Sequence, residues 1–489
     1  MKLSHLTLSL LLCLSSVMGA DAKVTLPAVL GDNMVLQRNT DANIWGKAKP
    51  GATIKVNPSW ENKTYKAKAD NDGNWTTTIA TGDAGGPYTI TINDGDKVVL
   101  DNILLGEVWI CSGQSNMEMM VHGFMHQPVE GALDAILDAP NHPDMRFFTV
   151  ERASLDSPAD DCKGVWQEST TDVVADFSAC AYFFGHLLNQ ILGVPVGLIS
   201  TNWGGSTIET WIDSETFDGI KDIDIAHSRS MDQPNSQIAR LYNGMIHPIA
   251  GYTAKGFIWY QGESNRGHHD DYVKLQTALI NSWREKWGNT EMPFYMVQLA
   301  PYNYEGAEKM SLPLMVEAQY KVAENVDKVG IAATTDIGNP TCIHPQRKKE
   351  VGQRLAFLAL QNDYSIKGLP LPAPTYKSMT VNGNKATLEF NNLLFVHDWW
   401  DGNSFHSYHD TSYIRPLGFE IAGEDKVFYP ATASFGHGVN TIELYSDKVA
   451  KPIAVRYYFH NYVPDANVKT CLGQPLVPFR TDNWDVNPW

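Results

Sequence analysis

The residue types best suited to chemistry in this chain lie where apolar runs give way to small and polar residues. The first such place is Gly106-Glu-Val-Trp-Ile-Cys-Ser-Gly-Gln-Ser-Asn-Met-Glu118. Residues 108–111 read as a buried strand, 112–114 as a turn, and Ser115 as the point where a helix can begin. A serine there can act as a nucleophile at the strand end, while its own N–H and the helix dipole face a developing oxyanion. By position alone the simpler reading is a helix N-cap, whose hydroxyl bonds only to backbone. Two further segments shift that balance. Thr201-Asn-Trp-Gly-Gly-Ser-Thr-Ile-Glu-Thr-Trp211 follows a run ending at Ser200, and its glycine pair offers bare backbone N–H groups to a ligand. Gln261-Gly-Glu-Ser-Asn265 follows a run ending at Tyr260. Separately, the glycines are turn residues and Glu263 is a solvated carboxylate; three polar strand ends in one sheet describe a site. No Gly-x-Ser-x-Gly elbow occurs, so an α/β-hydrolase lacks its main motif here.

Such a site needs a sheet whose strands end level with one another, and residues 103–367 have the texture of one. Residues 194–200 and 256–260 are short apolar strands. Between them a helix is expected over 177–192, where Ala179, Tyr182, Phe183, Leu187 and Ile191 share a face and Gly193 stops it. His186 lies within this helix and reads as an ordinary surface or core residue. Alternating strands and helices imply a mostly parallel sheet covered on both faces, with its site at the carboxyl ends of the strands. Residues 23–102 carry short alternating segments (53–56, 75–79 and 88–92) separated by turns such as Asn71-Asp-Gly73 and Asn93-Asp-Gly95, which suggest a β-sandwich module. Residues 368–489 return to a β texture at 385–390, 418–422 and 453–459.

The motifs resemble those of the sialate O-acetylesterase family within the SGNH-hydrolase superfamily. Gly113-Gln-Ser-Asn-Met117, Trp203-Gly-Gly205, Leu241-Tyr-Asn-Gly-Met-Ile246, Trp259-Tyr-Gln-Gly-Glu-Ser264 and Ile343-His-Pro345 match its blocks in order. Asn33-Met-Val-Leu-Gln37, Gly418-Phe-Glu-Ile-Ala-Gly-Glu-Asp425 and Pro478-Phe-Arg-Thr-Asp482 extend the likeness over nearly all of the chain after residue 22. The resemblance implies an SGNH-hydrolase-like (flavodoxin-like) three-layer α/β/α catalytic domain, an N-terminal β-sandwich and a C-terminal β region. It also implies that Ser115 is the nucleophile and His344 the general base. The Ser115 N–H, the Gly205 N–H and the Gln261 side-chain amide would form the oxyanion hole. The residues agree on His344, which precedes a helix expected to run to about Leu360, with Pro345 in its first turn. The implied reaction removes O-acetyl groups from sialic acids, in particular from the 9-hydroxyl, through an acetyl-enzyme. It needs no metal or organic cofactor. A neutral polysaccharide such as xylan is the alternative substrate, and a catalytically inactive carbohydrate-binding protein is the alternative to an enzyme.

One position departs from the superfamily pattern. Many relatives carry an Asp three residues before the catalytic His, and here that residue is Thr341. Glu263 is the first substitute for the triad acid, Asp336 the second, and a dyad whose ring is oriented by backbone carbonyls the third. Arg347 and Lys348 follow His344 and are expected to meet a sialate carboxylate, with solvated helix surface as the plainer reading. Residues 397–413 hold Trp399, Trp400, Phe405, His406, Tyr408 and His409, aromatic faces that suit sugar stacking or a plug between domains. The i, i+3 spacing of His406 and His409 is a weak metal hint, set aside here.

Composition bounds these readings. The 489 residues hold 38 Lys+Arg against 55 Asp+Glu, a net charge of −17, which disfavours a nucleic-acid partner. Fourteen Trp, 20 Tyr and 18 Phe exclude a disordered chain. An acidic protein acting on anionic sialosides would need a locally basic pocket, which makes Arg347 and Lys348 the residues to watch. Lys2, the apolar stretch 6–14 and Ala20-Asp-Ala22 read as a cleaved signal peptide over residues 1–22, so the protein is expected to be secreted or periplasmic. No later stretch reaches the roughly 18 apolar residues of a membrane span. Five cysteines follow residue 22 without CxxC spacing, allowing at most two disulfides and making a thiolate metal site improbable. The oligomeric state is not readable from the sequence.

Overall fold

The computed structural model describes residues 23–370, 372–392, 394–396, 415–436, 438, 440–464 and 467–489. The expected leader at 1–22 lies outside these residues, as do Trp399, Trp400, His406 and His409.

Seven strands build the central sheet: β1 (Lys97–Gly113), β2 (Met145–Thr149), β3 (Trp166–Glu168), β4 (Val196–Asn202), β5 (Gly256–Tyr260), β6 (Phe294–Val297) and β7 (Val329–Ala332). Their order across the sheet is β7-β6-β5-β1-β4-β2-β3. All neighbours pair in parallel except β2 and β3. Strands buried on both faces read as continuous apolar runs, and every residue of Gly256–Tyr260 and Phe294–Val297 is buried. After β1 the chain goes out to β2 and the edge strand β3, returns to β4 between β1 and β2, then crosses to the other side through β5, β6 and β7. The reversal falls at β1, where α/β sheets open a crevice beyond the carboxyl ends.

Helices α1 (Ser115–Glu118), α2 (Ala132–Asp138), α3 (Ala179–Leu192), α4 (His269–Lys286), α5 (Ser311–Asn325) and α6 (Lys348–Asn362) supply the frame. Successive strand residues face opposite sides of a sheet. On one side Trp109 packs edge-on against Phe184 of α3, their centroids 5.0 Å apart. Phe257, level with Ile110, meets Trp283 of α4 on the other side at 5.5 Å. Helices α3 and α6 therefore pair on one face and α4 and α5 on the other, the expected three-layer arrangement. The sequence anticipates α3 closely: Ser178 caps it through the Ala181 N–H, and Gly193 ends it at φ 63°. Helix α6 begins at Lys348, so Pro345 stands before it and not in its first turn.

Strand β1 has 17 residues and spans two sheets. Its first half pairs antiparallel with Gly85–Asn93 and parallel with Val35–Gln37 in the N-terminal region. Its second half is the middle of the central sheet, and one buried apolar cluster runs through both. The C-terminal region has its own cluster, built from residues such as Leu388, Phe390, Ile421, Ile442 and Tyr457. Polar contacts fasten it to the central α/β region, among them Arg480 to Glu317 of α5 and Lys469 to Asp336 in the loop after β7. Among the described residues no helix is long and apolar enough to cross a membrane, and all five described cysteines are free thiols.

Candidate active site

Strand register brings the three polar segments to one level: Gly113 at the end of β1 pairs with Asn202 of β4 and with Tyr260 of β5. Gly113 itself has φ 143°, and a Cβ there would run into the Tyr260 carbonyl oxygen. The chain turns there, the Gln114 N–H bonds the Tyr260 carbonyl at 2.9 Å, and α1 starts one residue later. Gln114, not Ser115, holds the cap position, and it makes no side-chain cap bond. The Ser115 hydroxyl is thereby free of the capping role that its position suggested. Its Oγ lies 2.8 Å from His344 Nε2.

His344 arrives on the loop between β7 and α6. Asn339 shapes that loop by accepting the N–H groups of Thr341 and Cys342 through its side-chain oxygen, at 2.9 and 3.0 Å. The other ring nitrogen, Nδ1, is 2.6 Å from Gln127 Oε1. An amide oxygen only accepts, so Nδ1 carries the hydrogen and Nε2 is left as the base facing Ser115. Gln127 closes a tight turn in which its backbone and that of Phe124 exchange two hydrogen bonds, at 2.9 and 3.0 Å. Phe124 from the same turn meets the His344 ring edge-on at 5.2 Å. Burial, and secondarily the charge of Lys348, hold the His344 pKa down to about 4, so the imidazole is neutral at ordinary pH and able to accept a proton.

Neither expected acid touches this ring. Glu263 is buried at the end of β5, where Asn116 Nδ2 bonds its Oε1 at 2.5 Å. Asn116 also donates to the Ile343 carbonyl at 3.1 Å and accepts from Lys348 Nζ through Oδ1. Glu263, Asn116 and Lys348 thus form one buried polar line behind Ser115. Burial raises the Glu263 pKa and lowers that of Lys348, each toward its neutral form. Asp336 is held by a two-point pair with Arg354 at 2.7 and 2.9 Å and by Lys469 at 3.2 Å. Burial pushes its pKa up, but these cations outweigh burial and keep it low. Its role in this arrangement is to join α6 to the C-terminal region. The imidazole is oriented by a neutral glutamine, an option outside the three weighed from sequence. Gln127 is uncharged, in a loop, and 217 positions from His344 in the chain, so no motif marks it.

The oxyanion positions divide in the same way. Neither the Ser115 nor the Gly205 N–H has a hydrogen-bond partner among the described residues, and Gly205 is exposed with φ 71°. Glu118 steadies this loop by accepting the Gly204 N–H at 2.8 Å, and Arg152 in turn grips Glu118 while lying over Trp203. Gln261 is different. Its amide nitrogen donates to the Ser206 carbonyl at 3.1 Å and to Asn265 Oδ1 at 2.8 Å, and its oxygen accepts from Tyr272. Both amide hydrogens are used inside the protein and the residue is fully buried, so Gln261 supports the 203–208 loop from beneath and has no N–H left for an oxyanion.

The basic pair expected to read a sialate carboxylate is also withdrawn. Lys348 is fully buried. Arg347 pairs with Glu350 at 2.8 Å and donates to the Asp336 carbonyl at 3.0 Å. Arg152, which lies over Trp203 beside the Gly204–Gly205 loop, keeps 52% of its side chain exposed. A cavity of about 970 Å³ lies between the N-terminal strands and His247, and neither Ser115 nor His344 lines it. No metal-ligand cluster among the described residues includes Ser115 or His344.

Comparison with known proteins agrees with this architecture. Residues 105–361 match the family described as carbohydrate esterase, sialic acid-specific acetylesterase. The chain is 28% identical over 397 residues to sialate O-acetylesterase of Homo sapiens, covering 73% of this chain and 75% of that protein. The Mus musculus enzyme of the same name is 28% identical over 422 residues, covering 73% and 76%. Among solved structures, a carbohydrate acetylesterase from Xanthomonas citri superimposes with a TM-score of 0.83 at 34% identity, covering 94% of this chain and all of that one. The chain is an esterase, a member of the sialic acid-specific acetylesterase family of carbohydrate esterases.

Proposed function

We propose that this esterase removes O-acetyl groups from carbohydrate by serine catalysis. The observation that carries the reading is the 2.8 Å approach of Ser115 Oγ to a neutral His344 Nε2 at the open end of the sheet. His344 takes the hydroxyl proton as Ser115 Oγ attacks the acetyl carbonyl. The N–H groups of Ser115 and Gly205 receive the oxyanion, and His344 returns the proton to the departing sugar oxygen. Water, deprotonated by the same imidazole, then releases acetate. Gln127 keeps the tautomer correct throughout but, being neutral, adds little to the stability of the imidazolium.

O-acetylated sialic acid is the first substrate, as in the relatives. A neutral acetylated polysaccharide is the second reading, favoured by the engagement of Arg347 and Lys348 within the protein. Export to the periplasm or the exterior fits either. Acetate release from O-acetylated sialic acid and from acetyl-xylan, compared at equal enzyme, separates them. Turnover of the sialic acid at least tenfold faster supports the first reading, and turnover of xylan alone overturns it.

A further inference from the structure

A second constellation of ligand-bearing side chains lies apart from Ser115, where α2 meets α3. Asp138 ends α2, His142 follows it, and His186 projects from α3. His142 Nε2 and His186 Nε2 are each 3.2 Å from Asp138 Oδ2 and 3.0 Å from one another. Charge-assisted hydrogen bonds to a carboxylate are tighter, about 2.7–2.9 Å. Three ligand atoms around one ion at about 2.0–2.2 Å stand about 2.8–3.6 Å apart for angles between right and tetrahedral, a range that holds the triangle seen. The ring centroids are 4.4 Å apart at 71°, closer than imidazoles bonded head-on through these nitrogens would stand. The two ring axes therefore do not lie along the line between the nitrogens.

The surroundings set the first histidine for coordination. Asn189 donates both amide hydrogens, to Asp144 Oδ2 at 3.0 Å and to the Val194 carbonyl at 2.9 Å. Its oxygen must then accept, and it lies 2.8 Å from His142 Nδ1. That fixes the hydrogen on Nδ1 and leaves His142 Nε2 as a bare lone pair, the orienting device common to metal-bound histidines. Asn141 donates to the other oxygen of Asp138 at 2.9 Å, so Oδ2 is presented to the histidines. A cavity of about 350 Å³ adjoins Asp138 and His186, with room for water as a further ligand. Lys349 also lines it, and its charge opposes a bound cation.

We propose that Asp138, His142 and His186 bind one divalent transition-metal ion of the zinc class, two imidazoles and one carboxylate leaving open positions for water. The ion fastens α2 to α3 and so steadies the segment that follows the Gln127 turn. It takes no part in the ester chemistry.

The test is zinc binding by the purified full-length protein, followed by calorimetry and by X-ray absorption at the zinc edge. One equivalent is expected, with a nitrogen and oxygen shell near about 2.0 Å, scattering from two imidazoles, and no sulfur near about 2.3 Å. His186→Ala should weaken binding at least about 100-fold, and Asn189→Ala by about 10–100-fold. Sulfur in the shell, undiminished binding by His186→Ala, or no binding by the unaltered protein would each overturn the proposal. The absorption spectrum requires no variant, so the proposal stays testable if His186→Ala fails to fold.

Discussion

Two polar lines run side by side at the carboxyl ends of the strands, and they differ in what they are made of. Ser115, His344 and Gln127 form the open line, neutral throughout and partly exposed. Glu263, Asn116 and Lys348 form the closed line, with the charged groups buried and a carboxamide between them. The catalytic reading belongs to the line without formal charge. The carboxylate and the ammonium lie one layer deeper, where their pKa values move toward neutrality and their contacts hold Asn116 and the His344 loop in place. Charge in this site does architectural work, and the chemistry rests on a tautomer set by an amide.

Breaking the open line should have the largest effect. His344→Ala is expected to lower kcat by about 10⁴–10⁶-fold, measured as acetate release, and adding Ser115→Ala should reduce it little further because the two act as a unit. Gln127→Ala should cost less, about 10–100-fold, because solvent can replace an amide acceptor but does not hold the ring. Gln127→Glu sharpens the point. A carboxylate at Nδ1 stabilises the imidazolium and raises the His344 pKa from about 4, so the acidic fall-off of kcat/KM moves to higher pH.

Breaking the closed line should show in stability before rate. Lys348→Met leaves Glu263 without its nearest buried cation, so its urea midpoint should fall further than that of Lys348→Met with Glu263→Gln. Lys348 also lowers the His344 pKa, and its removal should shift the acidic limb upward by a smaller step than Gln127→Glu does. The sign for folding follows from the same shift. His344 has an ordinary value near 6.5 when unfolded and about 4 when folded, so the unfolded chain binds the extra proton between these values. Its contribution to stability is intact above about pH 6.5 and is lost as pH falls toward 4.

The same contrast explains what could be read in advance. The sheet was legible because its strands are short apolar runs ending in glycine and polar residues, and the run at 256–260 coincides with β5 residue for residue. Ser115 and the Gly204–Gly205 pair stood out at strand ends, where such sheets converge, while the roles of Gly205 and His344 came from the motif resemblance, with which the loop before a helix agrees for His344. Gln127 was not legible, because an uncharged loop residue carries no periodicity and is brought to the ring only by the Phe124–Gln127 turn. Gln261 was misjudged for a related reason. Its place after β5 is right, but whether an amide faces a cavity or the protein depends on Asn265 of its own segment and on Ser206 and Tyr272 of two others. Arg347 and Lys348 were read as one basic pair, yet they are adjacent at the start of α6 and diverge, the lysine to the interior and the arginine to Glu350.

The most direct test of the central claim is covalent labelling with a fluorophosphonate ester, followed by peptide mass spectrometry. A neutral His344 poised on Ser115 predicts one label per chain on the peptide containing Ser115, with labelling slowed by about 10³-fold or more in His344→Ala. A label on another serine, or undiminished labelling without His344, would contradict it.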